Sequence, residues 1–89
     1  MRAVISVLGT DRVGIIAGVS ATLAEANVNI LDITQTIMQG IFTMIMIVET
    51  GSAKTSFDGL DTQLRATGDA LGLQIRIQRE DIFHSMHRI

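Results

Sequence analysis

The chain of 89 residues is long enough for one domain with a single modest core, and its only aromatic residues are three phenylalanines. Its net charge of −2, with seven scattered basic residues, argues against a surface that binds nucleic acid or an anionic membrane. The lack of cysteine excludes disulfides and thiolate chemistry. Since neither a leader-like start nor a membrane-length apolar run is present, we expect a cytoplasmic protein.

The first third of the sequence predicts a strand, a turn and a helix. Residues Arg2–Leu8 are largely apolar and β-branched and end at Gly9, which is typical of a strand. From Gly14 to Ala26 the apolar side chains recur at helical spacing and fall on one face. The turn over residues 9–16 therefore places a glycine at a helix start, where free N–H groups suit a carboxylate or phosphate.

The middle of the chain predicts two strands joined by a tight turn. Asn27-Val28-Asn29 ends the helix, and a second strand follows from Ile30 to Met38. Gln39-Gly40 has the composition of a two-residue hairpin, because glycine adopts positive φ without strain. A third strand, from Ile41 to Glu49, follows directly.

A second helix is predicted after the polar loop that ends near Ser56. Thr55 or Ser56 can cap its first turn, and Asp58 faces the positive end of the helix dipole. Gly72 is placed as the terminator of this helix.

The last part of the chain predicts one more strand and a short helix. Leu73–Arg79 alternates apolar and polar residues, as a strand with one buried face does. Residues 80–89 follow as a helix with an apolar stripe formed by Ile82, Phe83, Met86 and Ile89.

The element order β-α-β-β-α-β predicts an α+β, ferredoxin-like fold. Right-handed crossovers place both longer helices on one face of a four-stranded antiparallel sheet, with the first and third strands central. We expect a single domain over residues 1–89, made of a core from 1 to 79 and a C-terminal helix from 80 to 89.

The predicted sheet is too apolar to leave one face in water. On the third strand Met44 and Met46 point to one side and Ile45 and Ile47 to the other, whereas a half-exposed antiparallel strand alternates with polar residues. Leaving such side chains wet forgoes roughly 1.5–3 kcal/mol each. The second face is therefore covered by the C-terminal helix, by a second subunit, or by both, and we expect a homo-oligomer, either a dimer or a tetramer.

Two motifs resemble those of ACT domains. Asp11-Arg12-Val13-Gly14-Ile15 follows the first strand, and Ala26-Asn27-Val28-Asn29-Ile30 opens the second. The chain is similar over its whole length to small stand-alone bacterial ACT-domain proteins of uncharacterised function. Val13 stands where many family members have proline, so this turn is less rigid by sequence.

The resemblance implies a regulatory module that binds an amino acid or another small molecule at a subunit interface. It implies no enzymatic activity and no cofactor, and a regulated enzyme as a possible partner. The ligand contacts carried over from the family fall on Asp11, Arg12, Val13, Gly14, Ile15, Ile16, Asn29 and Ile30.

Four of these residues, and Asp32 on the second strand, also have a structural interpretation. Gly14 either lets a carboxylate approach the main chain or belongs to a small-residue face for helix packing, with Ala17, Gly18 and Ala21. Asp11 caps the helix or binds an amine, and Arg12 is solvated or pairs with a carboxylate. Asn29 either stabilises the turn before the second strand or contacts a ligand, and Asp32 faces either water or an amine across an interface.

A metal site is not expected. His84 and His87 lie three residues apart on the last predicted helix, with Asp81 nearby, but a terminal helix exposes its polar face to water by default. The methionines are expected as core or interface residues rather than as sulfur ligands; they include Met38, Met44 and Met46.

The leading hypothesis is therefore a non-enzymatic, ligand-sensing homo-oligomer. One alternative is an adaptor domain that assembles with another protein without any ligand. A second is an acylphosphatase-like hydrolase in which Arg12 holds phosphate and Asn29 orients water. A metal chaperone needs a Cys-x-x-Cys pair, and an RNA-binding sheet needs exposed aromatic residues and basic charge, so both classes are excluded.

Overall fold

The computed structural model describes residues 1–81 and contains the predicted element order. The four predicted strands and the two longer predicted helices are present, with ends that differ from the prediction by no more than two residues. They are β1 (Arg2–Thr10), α1 (Ile15–Glu25), β2 (Asn29–Met38), β3 (Ile41–Glu49), α2 (Phe57–Leu71) and β4 (Leu73–Arg79).

The four strands form one antiparallel sheet in the order β2-β3-β1-β4. β1 and β3 pair over nine residues, from Arg2 opposite Glu49 to Thr10 opposite Ile41. The ferredoxin-like prediction and the central position of β1 and β3 are confirmed. β2 and β4 are the two edges of the sheet.

Gly9 does not end the first strand as predicted, because β1 continues through it to Thr10. A Cβ atom at Gly9 would lie 3.2 Å from the carbonyl oxygen of Gly72 and 2.5 Å from the side chain of Leu73. The glycine therefore permits β1 to approach the junction of α2 and β4 closely, which is a common reason for glycine inside a strand.

The predicted hairpin turn and both predicted ends of α2 are confirmed. Gln39 and Gly40 both have positive φ, 51° and 80°, as a two-residue hairpin of this type requires. Ser56 caps α2, since its Oγ accepts a hydrogen bond from the Gly59 N–H at 3.0 Å. Gly72 ends the same helix with φ of 70°.

The core lies between the sheet and the two helices. Ile5, Met44 and Met46 from the central strands are fully buried there, together with Leu23 of α1 and Leu64 of α2. Met44 and Met46, two of the three methionines named above, are thus core residues, as expected. Met38, at the end of the edge strand, is exposed.

The other side of the sheet, which we call the open face, carries the side chains that point away from α1 and α2. The strand register places on it Arg2, Val4, Ser6 and Leu8 of β1, Asp32, Thr34, Thr36 and Met38 of β2, Ile41, Thr43, Ile45 and Ile47 of β3, and Gln74, Arg76 and Gln78 of β4. Leu8, Ile41 and Ile45 are exposed. The central strands β1 and β3 therefore give this face most of its apolar side chains, as predicted, whereas the edge strands β2 and β4 contribute mainly polar ones.

The predicted C-terminal helix falls mostly outside the described residues. Glu80 and Asp81 follow β4 directly, and residues 82–89, including His84 and His87, lie beyond the part of the chain that is described. Asp81 accepts a hydrogen bond from Arg79 at 3.3 Å. Within residues 1–81 there is no group of three acidic or histidine side chains placed to hold a metal, and no helix long and apolar enough to cross a membrane.

We expect Gly68→Ala to destabilise the fold, although glycine to alanine usually stabilises a helix by about 1 kcal/mol. A Cβ atom at Gly68 of α2 would lie 2.7 Å from the carbonyl oxygen of Leu73, so backbone has to move. Urea denaturation should show a loss of about 1–3 kcal/mol in the free energy of unfolding. Ala66→Gly, at an exposed position of the same helix, is the control and should lose only about 1 kcal/mol. A more stable Gly68→Ala variant would contradict this packing.

Candidate ligand-binding site

The turn between β1 and α1 is tied to two neighbouring elements. The N–H of Asp11 donates to the carbonyl oxygen of Gly40 in the β2–β3 hairpin at 2.8 Å. The Nη1 of Arg12 donates to the carbonyl oxygen of Leu71 at the end of α2, at 3.3 Å. Both contacts join the turn to the backbone of distant segments, and the sequence did not predict either of them. Arg12 is thus exposed but has a defined partner.

The helix after the turn begins without a side-chain cap. Its N-cap is Gly14, with φ of 95° and ψ of 0°, and no side chain accepts a hydrogen bond there. The interpretation of Asp11 as the helix cap is wrong, because the N-cap is the left-handed Gly14, three residues further along, and no side chain makes a capping hydrogen bond there. The first turn closes with Gly18 N–H donating to the Gly14 carbonyl at 2.9 Å, so the N–H groups of residues 15–17 have no acceptor in the helix.

Glycine is needed at position 14 for its backbone conformation, and at position 18 for packing. A Cβ atom at Gly14 would meet nothing within 4 Å, so the close-packing interpretation does not apply to it. A Cβ atom at Gly18 would lie 3.0 Å from the Cδ1 of Leu71, where α1 approaches α2. The predicted small-residue contact is therefore made by Gly18, and Gly14 is open to solvent.

The start of α1 combines a positive dipole end with apolar surface. Its first turn contains no acidic residue, whereas α2 has both the Ser56 cap and Asp58. Val13 is 96% exposed beside this helix start, and Ile16 is also exposed. Free N–H groups and the helix dipole favour an anion, and the apolar neighbours favour a ligand that is only partly polar.

Asn29 and Ile30 do not lie near this turn within one chain. Asn29 pairs with Glu49 at one end of β2, whereas Met38 pairs with Ile41 at the other end, next to Thr10 and the turn. Nine residues of strand separate the two ends, which is about 30 Å. The structure thus divides the predicted site residues into two groups at opposite ends of the sheet.

The Asn29 end has a surface depression of its own. Asn29 lines a hollow of about 440 Å³ together with Ala24, Asn27, Val28 and Ser52. Its strand partner Glu49 has a lowered pKa, because the Met1 amino group and then the Gly51 N–H donate to the carboxylate, each at 2.8 Å. Asp32 is exposed, and its Oδ1 accepts a hydrogen bond from the Ile33 N–H at 2.9 Å.

The strand that joins the two groups is an unprotected edge. All of β2 is exposed except Ile30, which is half-buried, and Asp32 is its one charged residue. A bulge at Leu31 interrupts the pairing near one end and leaves Asp32–Met38 regular. Natural proteins protect edge strands with charges, proline or brevity, and β4 follows that rule with seven residues that include two arginines.

Sequence reasoning missed two residues of this edge. Ile33 and Ile37 share the side of the sheet that faces the helices, because they pair with the core residues Met46 and Phe42. Both are nevertheless exposed, since α1 and α2 do not extend over this edge. The signal was available in the sequence, because a strand of ten residues with one charge and no proline is unusual for an exposed edge.

Comparison with known proteins places the chain in a family. The model of the ACT domain family matches residues 2–78. The chain belongs to the ACT domain family. The UPF0237 protein of Methanocaldococcus jannaschii is 54% identical over 99% of this chain and 98% of its own length, and that of Clostridium acetobutylicum is 55% identical over both full lengths. An ACT domain protein from Streptococcus pneumoniae is 42% identical and superposes with a TM-score of 0.82 over 93% of each chain.

ACT domains are generally regulatory modules that bind small molecules. That description fits an ACT domain whose turn presents main-chain donors.

A graded series at Gly14 tests the helix start. We expect Gly14→Asn to cost the least, Gly14→Ala about 1–2 kcal/mol and Gly14→Val the most, because asparagine tolerates left-handed backbone and β-branched residues do not. Chemical denaturation of the three variants measures the order. Equal losses for asparagine and valine would show that side-chain contact, rather than positive φ, requires the glycine.

Proposed function

We propose that this ACT domain is a cytoplasmic, non-enzymatic regulatory homodimer that binds an amino acid at the interface between its subunits. One observation carries the proposal: the two groups of predicted ligand contacts lie at opposite ends of the unprotected edge strand β2. Two copies that pair antiparallel along this edge bring the turn of one subunit beside Asn29 of the other. A regulated enzyme is the partner such a module would serve.

The geometry of that pairing follows from the strand register. If β2 pairs with its symmetry mate around residues 33 and 34, Asn29 of one copy lies opposite Met38 of the other. The turn after β1 is then three strand spacings from the second copy's Asn29, about 15 Å instead of about 30 Å within one chain. A ligand held between the two groups would contact both.

The same pairing also removes the cost of leaving backbone groups unpaired and apolar side chains in water. It satisfies the unpaired N–H and carbonyl groups of β2, and it covers Ile33 and Ile37, which are exposed in the single chain. Burying each of these side chains is worth roughly 1.5–3 kcal/mol. β4, with Arg76 and Arg79 at the other edge, offers no comparable surface.

The ligand chemistry follows from the groups that meet. The N–H groups at the start of α1 suit a carboxylate, and the amide oxygen of Asn29 from the second copy suits an amine. Val13, Ile16 and Ile30 provide apolar contact for a side chain. An amino acid carries all three features. The proposed contacts are Asp11, Arg12, Val13, Gly14, Ile15 and Ile16 of one subunit with Asn29 and Ile30 of the other.

We expect Ile33→Lys to weaken the dimer by about tenfold or more in dissociation constant, because it replaces apolar contact with two like charges across the symmetry axis. Sedimentation equilibrium over a range of concentrations measures the change. Gln74→Lys, the same charge placed on the edge strand β4, is the control and should leave the assembly unchanged. A dimer that resists Ile33→Lys and dissociates with Gln74→Lys would contradict pairing through β2.

A mixing experiment tests whether the site is shared between subunits. A thermal-shift panel of the twenty amino acids first identifies a ligand, and Gly14→Ala and Asn29→Ala should each abolish its binding. When the two variants are mixed and re-equilibrated, half of the dimers are mixed, and each of these has one intact site. Calorimetry should then recover about one quarter of the sites.

Two outcomes would count against the proposal. Recovery of no sites would place the whole site within one subunit. A stable dimer that responds to none of the twenty amino acids would favour the assembly interpretation, in which β2 pairs without a ligand.

A further inference from the structure

The open face is most protected at one end. Val4 is 4% exposed, Ile45 is 40% exposed and Ile41, at the far end, is 54% exposed. α1 and α2 both lie on the other side of the sheet, so neither explains this gradient. The protected end is the one where Arg2 begins β1.

The chain leaves the sheet at the same end. Arg79, the last residue of β4, pairs with Ala3, and Glu80 follows it. The Oε2 of Glu80 lies 3.2 Å from the Nη2 of Arg2. Because Ala3 points into the core, its neighbour Arg2 points to the open face, and the ion pair draws the start of the C-terminal segment toward that face.

The segment beyond Asp81 has the composition to cover this end. Residues 82–89 place apolar side chains at i, i+1, i+4 and i+7, which is one side of a helix. Eight residues at helical rise span about 12 Å, and the distance from Val4 to Leu8 along β1 is about 13 Å. We propose that residues 82–89 of the same chain dock on the open face over Val4, Ile45 and Ile47.

The chain's own segment fits this surface better than a second copy does. Two sheets that pack face to face approach within about 10 Å. The Arg2–Glu80 ion pair lies at the edge of the surface that such packing would bury. Such a pairing would also bring Arg76 of each copy onto the shared surface. A tethered segment needs no second molecule, because its local concentration is on the order of millimolar.

Disulfide trapping tests the docking, since the natural chain has no cysteine. Ile45→Cys combined with Phe83→Cys, a stripe position, should form a bridge within one chain under mild oxidation, read as a faster-moving monomer on a non-reducing gel. The control pair is Ile45→Cys with His84→Cys, which lies on the opposite side of the predicted helix and should bridge about tenfold more slowly. A bridge that links two chains instead would overturn the proposal and assign the face to a second copy.

A second measurement does not depend on forming a bridge. In a chain whose single cysteine is Val4→Cys, at a position that is 4% exposed, adding Phe83→Asp should raise the rate of reaction with an aromatic disulfide reagent by about tenfold, because the thiol becomes exposed. Ile41→Cys, on the same face at the uncovered end, should react at the same rate with or without Phe83→Asp. Equal rates at position 4 would also overturn the proposal, and neither result depends on a ligand or on the β2 edge.

Discussion

The unpaired edge of β2 is the constraint on which the rest of this molecule depends. Ten residues of strand present backbone donors and acceptors with only one charged side chain to keep another strand away. The backbone N–H and carbonyl groups of such an edge need hydrogen-bond partners, and an identical edge related by a two-fold axis can provide them. In the proposed dimer, such pairing brings together Gly14 and Asn29, which lie at opposite ends of the sheet in one chain.

The structure assigns different physical roles to glycines that look alike in the sequence. Gly14 is required for positive φ, whereas Gly9, Gly18 and Gly68 are required because another element lies too close for a side chain. These roles have different consequences for function, since only the first leaves an open surface. An exposed helix start of this kind is available to a ligand.

Most of the fold could be predicted from the sequence, because the signals are local. Hydrophobic periodicity located the strands and helices of residues 1–81, and Gln39-Gly40, Ser56 and Gly72 located the hairpin and both ends of α2. The errors involve contacts between distant segments. Gly9 resembles a strand terminator until the pairing of β1 with β4 brings Gly72 and Leu73 beside it.

The site was harder to predict for the same reason. Asp11 resembles a cap by spacing alone, and the left-handed conformation of Gly14 moves the helix start away from it. The motif residues around Gly14 and Asn29 look like one site in the sequence, yet the topology puts a full strand length between them. No pattern within one chain can report a distance that depends on how two chains meet.

The contrast between the two sheet edges also limits how far association can proceed. Growth of a continuous ribbon needs two adhesive edges on each molecule, so that every addition exposes another. Here β2 carries one charge and β4 carries two arginines, so the proposed pairing of two β2 edges leaves only the more highly charged edges outside. In the proposed dimer, sheet extension therefore ends after a single step, and the charged β4 edges protect the assembly from forming fibres.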